Sequence, residues 1–298
     1  MSSKIFKRPI LFIGITLFLI FISIKIYKNF SKVSSLPIPT QQDFLESYFR
    51  NKNDYEESFF KFENVEKKHV LAAITSHHFL AKDLIAQTFA GIDPKNVKKE
   101  VIVGPDHFHQ LTGTKYLAQT TDTSWQTPFG SISADTQIIN ILSQNNEVLS
   151  DINAFRAEHS VYLLVPFAKK SFSEAEITPL ILRQKNDFPY YYGLGKKVAG
   201  IIKPEETILV ISSDFSHNAT REQARLDDRR SIGLLKEMEI DKVSLVENDC
   251  KQCVAFLYGY LEGKNVDFEL VFNINSFDIS GESPKSVTSY VSTYFIEK

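Results

Sequence analysis

The sequence predicts an α/β fold: three layers, α/β/α, around a mainly parallel central sheet, plus one transmembrane helix at the N-terminus. Three observations predict it. From Val70 onward, short apolar runs alternate with helical patterns, as expected of strands joined by crossover helices. Three of those runs end directly in polar, histidine-bearing clusters, and in open α/β sheets the functional crevice lies outside the carboxyl ends of the strands. Residues 9–24 carry no charge and are dominated by Ile, Leu and Phe.

The N-terminal run spans about 24 Å as a helix, and Lys25 can snorkel while Ile26, Tyr27 and Phe30 extend the apolar length. A secretory signal is the rival reading. The long apolar region and the lack of a small-x-small cleavage site favour an uncleaved anchor over residues 1–30. Three basic residues lie on each side, so charge does not orient it. A short leading tail that stays inside would make the protein single-pass, with an extracytoplasmic body. Residues 31–64 read as a linker followed by a juxtamembrane segment whose aromatic residues fall at roughly helical spacing. Residues 65–298 form one domain.

Charge is divided unevenly. Residues 1–32 hold six of the 34 basic residues and none of the 36 acidic ones, so the remainder carries a net charge of −8. An acidic body without a basic stripe argues against nucleic acid as a partner.

Within the body, strands are expected at 70–75, 100–103, 177–183, 207–212, 268–274 and 286–296. Helices are expected at 80–89, ending at Gly91, then at 136–142, 160–170, 193–202 (stopped by Pro204), 221–238 and 249–261. Cys250 and Cys253, on the last of these, are the only cysteines. Their spacing suits a redox disulfide, half of a zinc site, or a reduced pair on one helix; a closed four-cysteine zinc site is excluded.

Six of the seven histidines fall in four clusters: Ser76-His77-His78, Gly104-Pro105-Asp106-His107-Phe108-His109, Glu158-His159-Ser160 and Ser212-Ser213-Asp214-Phe215-Ser216-His217. Histidine is the commonest metal ligand. His77 continues the first strand toward the crevice, and His78 must point elsewhere because adjacent residues of an extended segment face opposite sides. Gly104 and Pro105 make a sharp turn that presents Asp106 and His107, a ligand with its supporting partner. Ser160 reads as a helix N-cap. Asp214 and His217 offer an acid/base pair or extra ligands. No Gly-x-Ser-x-Gly or phosphate-loop pattern occurs, although a serine hydrolase is not excluded by composition.

Taken in order, these motifs resemble the Memo-like family, known in bacteria as AmmeMemoRadiSam system protein B. Two further segments carry the resemblance: Trp125-Gln126-Thr127-Pro128-Phe129-Gly130 with Asp135 downstream, and Pro166-Phe167 after Glu158-His159-Ser160. It runs from about Val70 to the C-terminus. It implies a fold related to class III extradiol dioxygenases and a mononuclear transition-metal site of two His and one Cys. Carried over, His77, His107 and Cys250 would be the metal ligands, with Asp214, His217 and His159 lining the pocket as catalytic groups. The metal would be iron or copper, with zinc also admitted. The sequence departs from the family pattern at Ser76, Tyr162 and Lys251, where Pro, an acidic residue and Gly are usual, and in its N-terminal anchor.

The resemblance implies a metal-dependent oxidoreductase, dioxygenase-like in chemistry. The alternative is a non-catalytic module binding phosphopeptides or proteins on the same fold. A cysteine or serine hydrolase ranks last. The implied partners are the membrane, through the N-terminal helix, and radical-SAM and AMMECR1-like proteins.

Overall fold

A computed structural model of the chain describes residues 44–144 and 147–298. Its strands are β1 (Leu45–Glu46), β2 (Val70–Thr75), β3 (Lys99–Pro105), β4 (Ala118–Thr120), β5 (Trp125–Thr127), β6 (Gly130–Ile132), β7 (Val148–Ser150), β8 (Glu176–Leu182), β9 (Thr207–Ser212), β10 (Val266–Asn275) and β11 (Ser289–Glu297). Eight of them form the central sheet, in the order β10-β11-β2-β9-β3-β8-β4-β7. The middle four, β2, β9, β3 and β8, are parallel, as are β4 and β7. The joins β10–β11, β11–β2 and β4–β8 are antiparallel. The fold is therefore mixed α/β, with a parallel centre. A small second sheet pairs β1 with the β5–β6 hairpin.

The central strands are apolar throughout because both faces are covered. Leu209 and Ile211 of β9, Val101 and Val103 of β3, and Leu180 and Leu182 of β8 share one core with residues of the helices Phe188–Ile201 and Lys251–Leu261. Ile208, Val210, Ile102 and Ile181 point the other way, into a core with residues of the helices Lys82–Ala90 and Val165–Ser171. On the first face, Gly195 and Gly259 let two helices cross with backbones in contact. A Cβ on Gly195 would meet the Phe256 carbonyl, and one on Gly259 the Tyr192 carbonyl. That crossing fixes the depth of Lys251–Leu261, whose first turn follows Asp249.

The expected helix at 160–170 is two helices, His159–Tyr162 and Val165–Ser171. Pro166 lies in the first turn of the second, where its missing N–H costs no hydrogen bond. Residues 44–64, expected as linker and juxtamembrane segment, belong to one compact unit with the rest of the body. Within them, Tyr55 of the helix Lys52–Phe60 is buried against Phe79 and Phe167. The expected transmembrane helix at 1–30 lies outside the described residues. Among the described residues, no helix is long and apolar enough to cross a membrane. The single-pass membrane location expected from the sequence, with an extracytoplasmic body, is corrected on that finding.

One acid of the core bears on stability. Glu100 of β3 is fully buried, and neither of its carboxyl oxygens has a hydrogen-bond partner. Burial holds its carboxyl well above the usual range, so the folded chain keeps it protonated. In the unfolded chain it ionises normally. Its folded pKa being raised, the residue destabilises increasingly as pH climbs above the ordinary glutamate value. Glu100→Met is expected to raise the unfolding free energy at pH 8 by about 1–3 kcal/mol, and by less at pH 5. Denaturant titrations at the two pH values measure this, and a gain independent of pH would contradict it.

Candidate metal centre

Strands β2, β9 and β3 are adjacent and parallel, so their carboxyl ends open on the same edge of the sheet. His77 leaves the end of β2, Asp214 the end of β9 and His107 the end of β3. Two more segments reach this edge. One is the turn into the helix His159–Tyr162, which brings Glu158 and His159. The other is the segment before the helix Lys251–Leu261, which brings Asp249.

Three imidazoles meet there. Ring centroids are 4.9 Å apart for His77 and His107, 5.1 Å for His77 and His159, and 4.2 Å for the stacked pair His107 and His159. Ligand-capable nitrogens of all three lie within 4.8 Å of one another, and so do ligand atoms of His77, Asp214 and Asp249. Asp249 Oδ2 lies 3.2 Å from His77 Nε2 and 3.5 Å from His107 Nε2.

The hydrogen-bond network assigns the tautomers. Ser212 Oγ donates to the Ser160 carbonyl at 2.5 Å, so it can only accept from His77 Nδ1, 3.0 Å away. His107 Nδ1 donates to Glu158 Oε1 at 2.8 Å, while the His107 backbone N–H donates to Glu158 Oε2 at 2.9 Å. Each ring thus spends its Nδ1 proton on the protein and turns Nε2 toward Asp249. Asp249 is held from its other side: Oδ1 accepts from Ser213 Oγ at 2.8 Å and from the Asp214 backbone N–H at 3.2 Å. Its Oδ2, buried, makes no hydrogen bond. Two ring nitrogens and one carboxylate oxygen therefore face each other across a gap that suits a cation.

The carboxylates around the gap raise the proton affinity of the two rings that face it. Burial lowers the His77 pKa, but Asp214 and Asp249 outweigh it and hold the pKa above the usual value. Burial also opposes charge on His107, yet the neighbouring carboxylates of Asp249 and Glu158 raise it to about 10. His159 goes the other way. Burial and the neighbouring His77 and His107 push it down to about 4, so it is a neutral imidazole at pH 7. Burial works to raise the Asp249 pKa, but His77 and His107 hold it well below the usual carboxylate range.

The structure thus brings His77, His107, His159 and Asp214 together. His217 is exposed and belongs to neither ligand-capable group among the described residues. Cys250, expected as the anionic ligand, is bonded to Cys253, so its sulfur is not a free thiolate. The anion at the gap is its neighbour Asp249. Asp106, expected to support His107, instead accepts the backbone N–H groups of Gln110 and Leu111 and shapes its own loop. Glu158 supports His107 in its place. Glu158 is also the helix cap, accepting from Ser160 N at 3.0 Å, a role expected of Ser160. His78 turns away to the Tyr290 hydroxyl at 2.5 Å. Sequence reasoning missed Asp249 and Ser212 as site residues. The available signal was a carboxylate placed directly before a helix that packs under the strand ends.

A model of the family described as Memo-like protein matches residues 41–290. The chain belongs to the Memo-like family. Among its relatives, a MEMO1 family protein of Nitrosopumilus maritimus is 29% identical over 219 residues, 70% of this chain and 78% of that protein. Another, of Methanococcoides burtonii, is 27% identical over 226 residues, 72% of this chain and 82% of that one. A solved structure of an uncharacterized protein from Escherichia coli K12 covers 74% of this chain and 98% of its own, at 11% identity and a TM-score of 0.48, and carries no part of the assignment. The Memo-like motifs Gly104-Pro105-Asp106-His107 and Glu158-His159-Ser160 acquire a joint physical reason. The β3 backbone passes so close to Ser160 that a Cβ on Gly104 would come within 2.6 Å of the Ser160 Cβ.

That contact tests how the centre is assembled. Gly104→Ala forces Ser160 away and, with it, the acceptor of Ser212 and the cap that seats Glu158. A loss of about 1–3 kcal/mol is expected. Adding Ser160→Gly removes the clashing atoms and should recover part of the loss. A double variant no more stable than Gly104→Ala would show that the contact does not set the packing.

Proposed function

We propose that this Memo-like protein holds one transition-metal ion on His77 Nε2, His107 Nε2 and the Asp249 carboxylate, and uses it as a metal-dependent oxidoreductase. The observation that carries the reading is Asp249 Oδ2: a buried carboxylate oxygen without a hydrogen bond, faced by two imidazole nitrogens whose other nitrogens are already committed. Two imidazoles with one carboxylate are the donor set of oxygen-activating non-haem iron sites, which keep open positions for substrate. Such an ion supplies Lewis acidity and one-electron chemistry.

The chain's own groups act around that ion. Ser212 and Glu158 fix the orientation of the ligand rings. Asp214 accepts from the Ser76 hydroxyl and the His77 N–H, anchoring the turn that aims His77. Neutral His159, stacked on His107 and partly open to solvent, can take a proton from a bound substrate.

The full chain, loaded with metal and desalted, should retain about one ion per molecule by elemental analysis. His77→Ala and His107→Ala should lose it while keeping the fold. Glu158→Gln should weaken affinity by roughly 10–100-fold, and Cys250→Ser should retain the ion. Full retention in both histidine variants would exclude the site.

Affinity should also depend on pH. Both rings hold protons more tightly than ordinary histidines, and a metal ion must displace them. Binding should therefore weaken as pH falls and keep strengthening from pH 6 to pH 9, by about tenfold per unit for the His107 proton displaced. Competition titrations at four pH values measure this, and a plateau from pH 7 upward would contradict it.

A further inference from the structure

We propose that a second cleft, beside the metal centre, is a binding subsite for a small aromatic carboxylate. The cleft has a volume of about 560 Å³ and is walled by residues 44–48, Arg50, Arg156 and Tyr162. It lies one helical turn from the centre. His159 and Tyr162 are the first and last residues of the same short helix, and a separation of three residues puts both on one side of it, about 4.5 Å apart along the axis. His159 faces the ligand cluster, and Tyr162 lines the cleft.

Charge and shape select the ligand class. Arg50 is ion-paired with Glu46 inside the cleft wall. Arg156 has no acidic partner among the described residues. Among the described residues that line it, the cleft is thus left with one unpaired positive charge, carried by a guanidinium whose planar fork matches a carboxylate. A phosphate dianion would need a second free cation, and Glu46 already occupies the other arginine. The flank is aromatic. Tyr48 and Tyr162 stack at 6.0 Å, and Tyr48 is 72% exposed, so its ring is open to a planar partner. Burial, with Tyr48 and Glu158 nearby, holds the Tyr162 phenol above its usual pKa, so it stays neutral beside a bound anion. A carboxylate in place of Tyr162 would repel the ligand. The volume suits a one- or two-ring molecule.

Treating this ligand as the substrate of the metal centre rests on the function proposed above; its binding in the cleft does not. The test is isothermal titration of the full chain with 2-naphthoate, alongside 2-naphthylmethanol, cyclohexanecarboxylate and 2-naphthyl phosphate. Naphthoate should bind saturably and more tightly than all three controls. Arg156→Gln should weaken it by about fivefold, a modest factor because the guanidinium is exposed. Tyr162→Asp should abolish it. His77→Ala, which empties the metal centre, should leave it unchanged. Equal binding of the neutral alcohol, preference for the phosphate, no effect of Arg156→Gln, or no binding at all would overturn the subsite. Loss of binding in His77→Ala would move the ligand to the metal centre and overturn the cleft assignment, leaving the metal reading intact. Naphthoate binding by a chain that retains no metal would leave the cleft standing without the centre.

Discussion

The gap between Asp249 Oδ2 and the Nε2 atoms of His77 and His107 organises this end of the molecule. A buried carboxylate oxygen facing two nitrogen lone pairs is repulsive on its own, and leaving a buried charged group unpaired costs several kcal/mol. The chain nevertheless commits hydrogen bonds to hold the arrangement. Ser212 and Ser160 orient one ring and Glu158 the other, while Ser213 and the Asp214 N–H pin the carboxylate. None of these contacts fills the gap. Every one of them directs a donor atom into it. Such a design is stable only with positive charge between the three groups, and the raised proton affinities of both rings express the same demand.

The fold meets that demand with backbone rather than with long side chains. Parallel β2, β9 and β3 deliver His77, Asp214 and His107 within a few residues of their carboxyl ends. Close backbone approaches set the remaining heights. Gly104 brings β3 against Ser160, and the Gly195–Gly259 crossing seats the helix that follows Asp249. The ligand atoms come from positions more than 170 residues apart in sequence, and their convergence depends on these contacts. A methyl group added at either place displaces an element and not merely a rotamer.

Much of this was legible in the sequence, for identifiable reasons. Strands β2 and β9 are uninterrupted apolar runs and are found at the predicted bounds. His77 and His107 stand directly after strands, where an α/β fold places its site. Strands β4 to β7 were not legible, because three residues carry no periodicity. The break at Leu163–Leu164 was hidden by apolar character continuing through both helices. Asp249 was not legible either. It precedes a cysteine pair that draws attention as chemistry, and only the three-dimensional packing shows the carboxylate facing the histidines while the sulfurs bond to each other. Glu158 was visible as part of a motif, but its role depends on a contact 51 residues away, with His107.

Charge balance ties the site's acid–base character to its ligand set. Three carboxylates, Asp214, Asp249 and Glu158, border the cluster, and they raise the proton affinity of two of the three imidazoles, His77 and His107. His159 remains neutral, because a third positive charge beside His77 and His107 is unfavourable. A divalent cation held in the gap would compete with protons for the two rings, whose proton affinity the carboxylates raise. The surrounding hydrogen bonds would not need to rearrange for it: Nδ1 of each ring would keep its partner, and Asp249 would keep Ser213 and the Asp214 N–H. The two cores on either face of the sheet hold the strands in place, leaving the rim at the strand ends free to serve chemistry.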